Sequence, residues 1–174
     1  LGNLDQALAS TLKSLELKTD NPDALINLGG IYHVNGELQK AKSAFEKSLS
    51  IKKTSLAMIS LSMTCSTLGD KEESMKHAVD AVEIDENNEN CLINLANQCV
   101  ICEKTEQGID AALKAIEINE RSEEAYFAAA RNLCEQKLFT NARQILEKAR
   151  ENIDNSHILD GELVRVKYLE GITR

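Results

Sequence analysis

Three of the chain's five cysteines fall within twelve residues, in CLINLANQCVIC at 91–102, and two of them are spaced C-x-x-C. Such a pair is half of a tetrahedral zinc site, or a redox couple, when a second pair of thiolate or imidazole ligands completes it. Here no second C-x-x-C or Cys/His pair follows. Cys91 and Cys102 are about 16 Å apart along a helix that rises 1.5 Å per residue, too far to share one ion. Cys65 and Cys134 stand in other segments. The three histidines, His33, His77 and His157, are also dispersed, and no carboxylate companion at a fixed offset is read beside them. No G-x-S-x-G nucleophile turn occurs. LGG at 28–30 lacks both the Lys-Ser/Thr and the preceding strand of a phosphate loop. The residues therefore predict no enzyme, no metal ligand and no cofactor, and the cysteines are expected to be small apolar fillers.

The elements that would hold these residues are helical by composition. One proline (Pro22), no tryptophan and 43% apolar residues in a 174-residue chain describe few breaks and enough material for a core. A formal charge of −8 opposes a nucleic-acid backbone and an anionic lipid surface alike. No run reaches the roughly 18 apolar residues that mark a membrane span, and no leader pattern is read at the start. An odd number of cysteines outside a small secreted framework favours a reducing compartment, and a cytoplasmic protein is expected. The first residue is Leu, and the opening LGNLDQA reads as the interior of a structural unit, so a fragment of a longer protein is expected.

A period emerges when the sequence is slid against itself. Gly2, Gly36 and Gly69 are 34 and 33 residues apart, Gly171 follows Gly69 by 102, three times 34, and each glycine is expected where one helix turns into the next. The units read as 2–21 (the second helix of a truncated repeat), 22–54, 55–88, 89–122, 123–152, and 153–174 (the first helix of a further repeat or a capping helix), where Ile158, Leu159, Leu163, Val166 and Leu169 make an apolar helical face expected to cover the last repeat. Three columns hold only Gly, Ala or Ser: Gly29, Ser62, Ala96 and Ala130; then Ala7, Ala41, Ser74, Gly108 and Ala142; then Ser14, Ser48, Ala81, Ala115 and Ala149. Two antiparallel helices approach closely only where side chains are small, so these columns mark crossing points. Larger residues fill between them: Leu28, Leu61, Leu95 and Ala129; Tyr32, Cys65, Cys99 and Leu133; and, closing each second helix, Leu17, Ile51, Ile84 and Ile118. The breaks TDNPD, KKTS, DENNE and NERSE are rich in N-cap residues.

Leu28, Gly29 and Tyr32, followed by Ala41 and Phe45, match the L-G-x-x-Y and Ala-x-x-x-Phe elements of a 34-residue helix-turn-helix unit, and the pattern resembles the tetratricopeptide repeat family. The resemblance implies an all-α, right-handed superhelical solenoid of antiparallel helix pairs, whose first helices line a concave groove for an extended peptide or a partner helix. The peptide-binding residues it implies are Ile26, Asn27 and His33; Ile59, Ser60 and Met63; Asn90, Ile93, Asn94 and Asn97; and Phe127 and Arg131. Ile26, Ile59, Ile93 and Phe127 form an apolar ladder. Asn27, Ser60, Asn94 and, with a mismatch, Ala128 form a second that is similar in part to the asparagine ladder of O-linked N-acetylglucosamine transferase repeats; an asparagine row can pair with a peptide backbone.

These columns contain Arg131 and no lysine, so the carboxylate clamp of the chaperone-binding branch is missing. The acidic chaperone C-terminal tail is excluded as a partner, and a neutral to mildly basic protein or peptide is expected beside Asp23, Glu124 and Glu135. Two readings follow: a non-catalytic protein-protein interaction scaffold, or the substrate-recruiting arm of a larger enzyme, such as a glycosyltransferase, with its catalytic domain outside this stretch. Nucleic acid and membrane are excluded as partners.

Overall fold

The structure is a computed structural model that describes residues 2–154 and 156–172. Among the described residues it contains ten helices and no strand. The helices are α1 (Gly2–Leu17), α2 (Pro22–Val34), α3 (Leu38–Ile51), α4 (Ser55–Leu68), α5 (Lys71–Ile84), α6 (Glu89–Ile101), α7 (Thr105–Ile118), α8 (Glu123–Glu135), α9 (Phe139–Asn152) and α10 (His157–Ile172). They form two compact units, residues 1–85 and 86–174. In the first, α2 pairs with α3 and α4 with α5, while α1 packs on α2 and α3 on α4. In the second, α6 pairs with α7 and α8 with α9, α7 packs on α8, and α10 lies on α9. No described helix is long and apolar enough to cross a membrane.

The polar breaks start the first helices by one device. The side chains of Asn21, Thr54, Asn88 and Ser122 accept a hydrogen bond from the backbone N–H of Ala24, Ala57, Asn90 and Ala125, respectively. Each satisfies one of the donors that a helix start leaves unpaired. Ser156, 34 residues after Ser122, does the same for Leu159 N–H at the start of α10.

Each first helix also ends alike. The backbone N–H groups of Glu37, Asp70, Lys104 and Leu138 reach back to the carbonyls of Tyr32, Cys65, Cys99 and Leu133 at 2.8–2.9 Å. This closure needs a left-handed residue one position earlier. Gly36 and Gly69 supply it at φ +77° and +87°, whereas Glu103 and Lys137 occupy it at φ 58° and 61°. A side chain in that region costs about 1 kcal/mol relative to glycine. Glu103→Gly and Lys137→Gly are each expected to stabilise the second unit by about 1 kcal/mol, read as an increase in the urea midpoint at unchanged slope; a loss of stability in both would contradict the shared turn geometry.

Of the fourteen small residues in the three columns, twelve are buried; Ala7 and Ser14, both on α1, are not. Tyr126 is fully buried, and its hydroxyl accepts from Asn152 Nδ2 at 2.9 Å, tying α8 to α9. α10 covers α9 with Leu159, Leu163 and Val166. Its buried Glu170 accepts from Thr140 Oγ1 at 2.9 Å and Arg143 Nε at 3.0 Å.

Three expectations need correction. Gly171 is expected at a turn, but it lies within α10, which runs to Ile172. Leu17, Ile51, Ile84 and Ile118 were read as filling space, yet all four are exposed, because the last residue of each second helix lies beyond its crossing with the first. Ile158, read as part of the packed face of α10, points to solvent.

Candidate functional site

In the first unit, the exposed face of the first helices is largely apolar. Leu56 and Met63 lie seven residues apart on one side of α4 and are 59% and 50% exposed, with Val34 at the end of α2 at 72%. Ile59 and Ser60 lie between them, half-buried. Asn27 is exposed. His33 is half-buried, and its Nδ1 is 3.0 Å from Thr64 Oγ1, which joins α2 to α4. Ile26 is in a different setting: it packs in a buried cluster with Ala41, Phe45, Ala57, Leu61 and Cys65. The polar groups on α4 are partly committed to their own helix, since Ser60 donates to Leu56 O at 2.9 Å and Thr67 to Met63 O at 2.9 Å. Such back-bonding leaves a hydroxyl less free for a ligand.

In the second unit, Asn90 and Arg131 are exposed, while Ile93, Asn97 and Phe127 are half-buried. Asn97 Oδ1 accepts from Arg131 Nη1 at 3.4 Å, bridging α6 and α8. Exposed Glu124 and Glu135 flank this pair on α8. Asn94 is only 6% exposed, and its Oδ1 lies 3.5 Å from Gln98 Nε2 one turn on. Ala128 is buried as well. The structure thus brings Asn97, Arg131 and Phe127 to the surface and leaves Ile26 and Asn94 among packed side chains.

The five cysteines are outside any disulfide: Cys65, Cys91 and Cys99 are buried, and Cys102 and Cys134 are half-buried. Burial pushes the Cys65 and Cys99 thiols up to about 11, so both are neutral near pH 7. A neutral buried thiol is a poor nucleophile. Cys91 and Cys99 fill columns held elsewhere by Ala24, Ala57 and Ala125, and by Tyr32 and Leu133.

The reading of the histidines is corrected at one position. His77 does have carboxylates at fixed offsets: Glu73 one turn before it, with Nε2 3.7 Å from Oε1, and Asp80 one turn after it, with Nδ1 3.9 Å from Oδ2. Cys65, across from them on α4, completes a group of three with ligand atoms all within 4.8 Å of one another. The Glu73-x-x-x-His77-x-x-Asp80 spacing was visible in the sequence as one helical face. The approach of Cys65 needed the register of α4 on α5.

A family model for the tetratricopeptide repeat matches residues 22–55 and 57–88. No curated protein matches the chain. Among solved structures, YrrB, described as a TPR protein with an unusual peptide-binding site, is similar with a TM-score of 0.74 and 21% identity, covering 96% of this chain and 84% of its own. A tetratricopeptide repeat protein from Parabacteroides merdae ATCC 43184 has a TM-score of 0.80 at 18% identity, over 98% of this chain and 68% of its own. Pseudomonas aeruginosa pilF has a TM-score of 0.77 at 16% identity, over 98% and 81%. At these identities the likeness is one of fold. Residues 22–55 and 57–88 are thus matched as tetratricopeptide repeats, and the chain shares an all-α fold of antiparallel helix pairs with solved members of that family.

Proposed function

We propose that the chain is a protein-interaction scaffold that takes an extended peptide or a partner helix against the exposed faces of its first helices. The observation that carries this reading is the apolar strip of Val34, Leu56 and Met63 in the first unit, three large side chains at least half exposed on elements whose opposite faces are packed. Aliphatic side chains left in water on one face favour a partner that buries them. In the second unit this face carries half-buried Phe127 and Asn97, with Asn90 and Arg131 exposed. They suit hydrogen bonds to a peptide backbone more than burial of its side chains.

Charge narrows the partner. Asp23 in the first unit, and Glu124 and Glu135 in the second, are exposed on these helices against the single Arg131, and the chain carries −8 overall. A neutral to mildly basic segment is therefore preferred over an acidic tail. An odd number of cysteines, five, accords with a reducing compartment such as the cytoplasm.

Selection from a displayed peptide library provides the test. Selected peptides are expected to be rich in aliphatic and neutral or basic residues, and Leu56→Glu with Met63→Glu is expected to weaken the best of them by at least about tenfold, the effect of losing apolar burial worth about 1.4 kcal/mol or more. Asn94→Ala, at a buried position, is expected to change affinity less than Asn97→Ala. Unchanged affinity in the Leu56→Glu/Met63→Glu variant would remove this face from consideration.

A further inference from the structure

Cys65 on α4 and Glu73 and His77 on α5 place a sulfur, a carboxylate oxygen and an imidazole nitrogen together at the edge of a core that buries Cys65 fully and leaves the other two half-buried. We propose that these three side chains bind one borderline-soft divalent cation, with zinc the best-fitting occupant and water in the fourth position. The inference is independent of the peptide-binding reading and concerns a different face.

The spacing is close to what such an ion requires. Tetrahedral bonds of about 2.0 Å to nitrogen and oxygen and about 2.3 Å to sulfur set the ligand atoms roughly 3.3–3.6 Å apart. His77 Nε2 and Glu73 Oε1 are already 3.7 Å apart, and the whole set spans no more than 4.8 Å. The mixed sulfur, nitrogen and oxygen set selects zinc or a similar ion over calcium and magnesium, which demand oxygen ligands.

The surroundings of His77 favour this orientation. Its Nδ1 is buried without a hydrogen bond, and Asp80 Oδ2 is 3.9 Å away. Ligation through Nε2 leaves the proton on Nδ1, aimed at Asp80, the carboxylate–histidine pairing that orients metal-bound imidazoles. Glu73 is similarly divided: Lys42 on α3 donates to Oε2, and Oε1 faces His77. Ion binding forms a metal–sulfur bond in place of the Cys65 S–H bond, and that proton leaves to solvent. The Lys42 ammonium is in direct contact with Glu73, and it opposes the incoming cation. Once bound, the ion would clip α4 to α5, the two helices of a single repeat.

The whole chain, metal-free and reduced, is titrated with Co2+ and then challenged with Zn2+. The expected result is one ion per chain, with a thiolate-to-cobalt charge-transfer band in the near ultraviolet that zinc abolishes. His77→Gln and Glu73→Gln should each weaken cobalt binding by about tenfold or more, and Asp80→Asn by about tenfold. Lys42→Gln should strengthen it several-fold, which a general loss of structure would not do. Cys65→Ala should abolish the band, whereas Cys102→Ser and Cys134→Ser, at the two accessible thiols, should leave it unchanged. Because Cys65 also belongs to the core, the variants at the half-buried His77 and Glu73, with helix content checked by circular dichroism, keep the test decisive. Absence of the band, or a band insensitive to both His77→Gln and Glu73→Gln, would overturn the site.

Discussion

Gly108→Ala is expected to destabilise the second unit by about 3 kcal/mol, although alanine is the better helix former by about 1 kcal/mol. Gly108 lies on α7 where α6 and α8 converge. A methyl group there would sit 2.0 Å from Asn132 Oδ1, 2.5 Å from its Cγ and 2.8 Å from Cys99 Cβ. None of these atoms has room to yield. Asn132 and Cys99 are fully buried, and Asn132 Nδ2 donates to Ala96 O at 3.0 Å and Ala128 O at 2.8 Å. Moving the carboxamide breaks the hydrogen bond to Ala96 O that ties α8 to α6, together with the one to Ala128 O within α8, and leaves a buried amide donor unpaired, at about 1–3 kcal/mol, on top of a comparable cost of overpacking. Asn132 Oδ1 is itself buried without a hydrogen-bond partner, so the amide is held by its donor side alone. Thermal or urea unfolding checks the size of the effect. In a double-mutant cycle with Asn132→Ala, the two changes should be less than additive by at least about 1 kcal/mol, since the second removes the atoms that the first strikes. A neutral or stabilising Gly108→Ala would show that α7 can withdraw from α8.

Gly29→Ala is expected to cost the first unit about 2 kcal/mol by the same mechanism with a different partner. An added methyl would lie 2.5–2.7 Å from three ring atoms of Phe45, which is almost completely buried. The repeat explains why glycine is needed here and nowhere else in the column. Phe45 is replaced by Ala78, Ala112 and Leu146 in the later units, and the facing positions are then Ser62, Ala96 and Ala130. A ring on the second helix demands the smallest residue on the first. Phe45→Leu should therefore relieve Gly29→Ala, leaving the double variant more stable than the sum of its parts by about 1 kcal/mol, as read by urea unfolding. Additive losses would mean that the methyl clashes with something other than the ring.

The contrast between these glycines and the turn residues shows where the sequence was informative. Small residues at crossing points repeat as a column because the distance between helix axes repeats, so Gly29 and Gly108 were legible without coordinates. The left-handed position at the ends of α6 and α8 was not, because Glu103 and Lys137 hide it; the hydrogen bonds from Lys104 and Leu138 to Cys99 and Leu133 impose the conformation regardless of residue type. Surface residues were harder still. Position in the repeat put Asn94 beside Asn27 and Ser60, but exposure depends on the neighbouring side chain, and Gln98 and the packing around it cover Asn94. Met63 was singled out among the residues expected to bind a peptide and Val34 and Leu56 were not, yet all three are the most exposed apolar side chains on their face. The Cys65–Glu73–His77 group shows the same limit, since one helix holds two of its members and only the packing of α4 on α5 brings in the third.

The central claim is that partners dock on the first helices. Photo-crosslinking from the tightest library-selected peptide, carrying the photoreactive group at successive positions, tests it most directly. Crosslinks are expected at Val34, Leu56 or Met63 in the first unit, or at Asn97, Phe127 or Arg131 in the second. Crosslinks confined to α3, α5, α7 or α9 would contradict the claim.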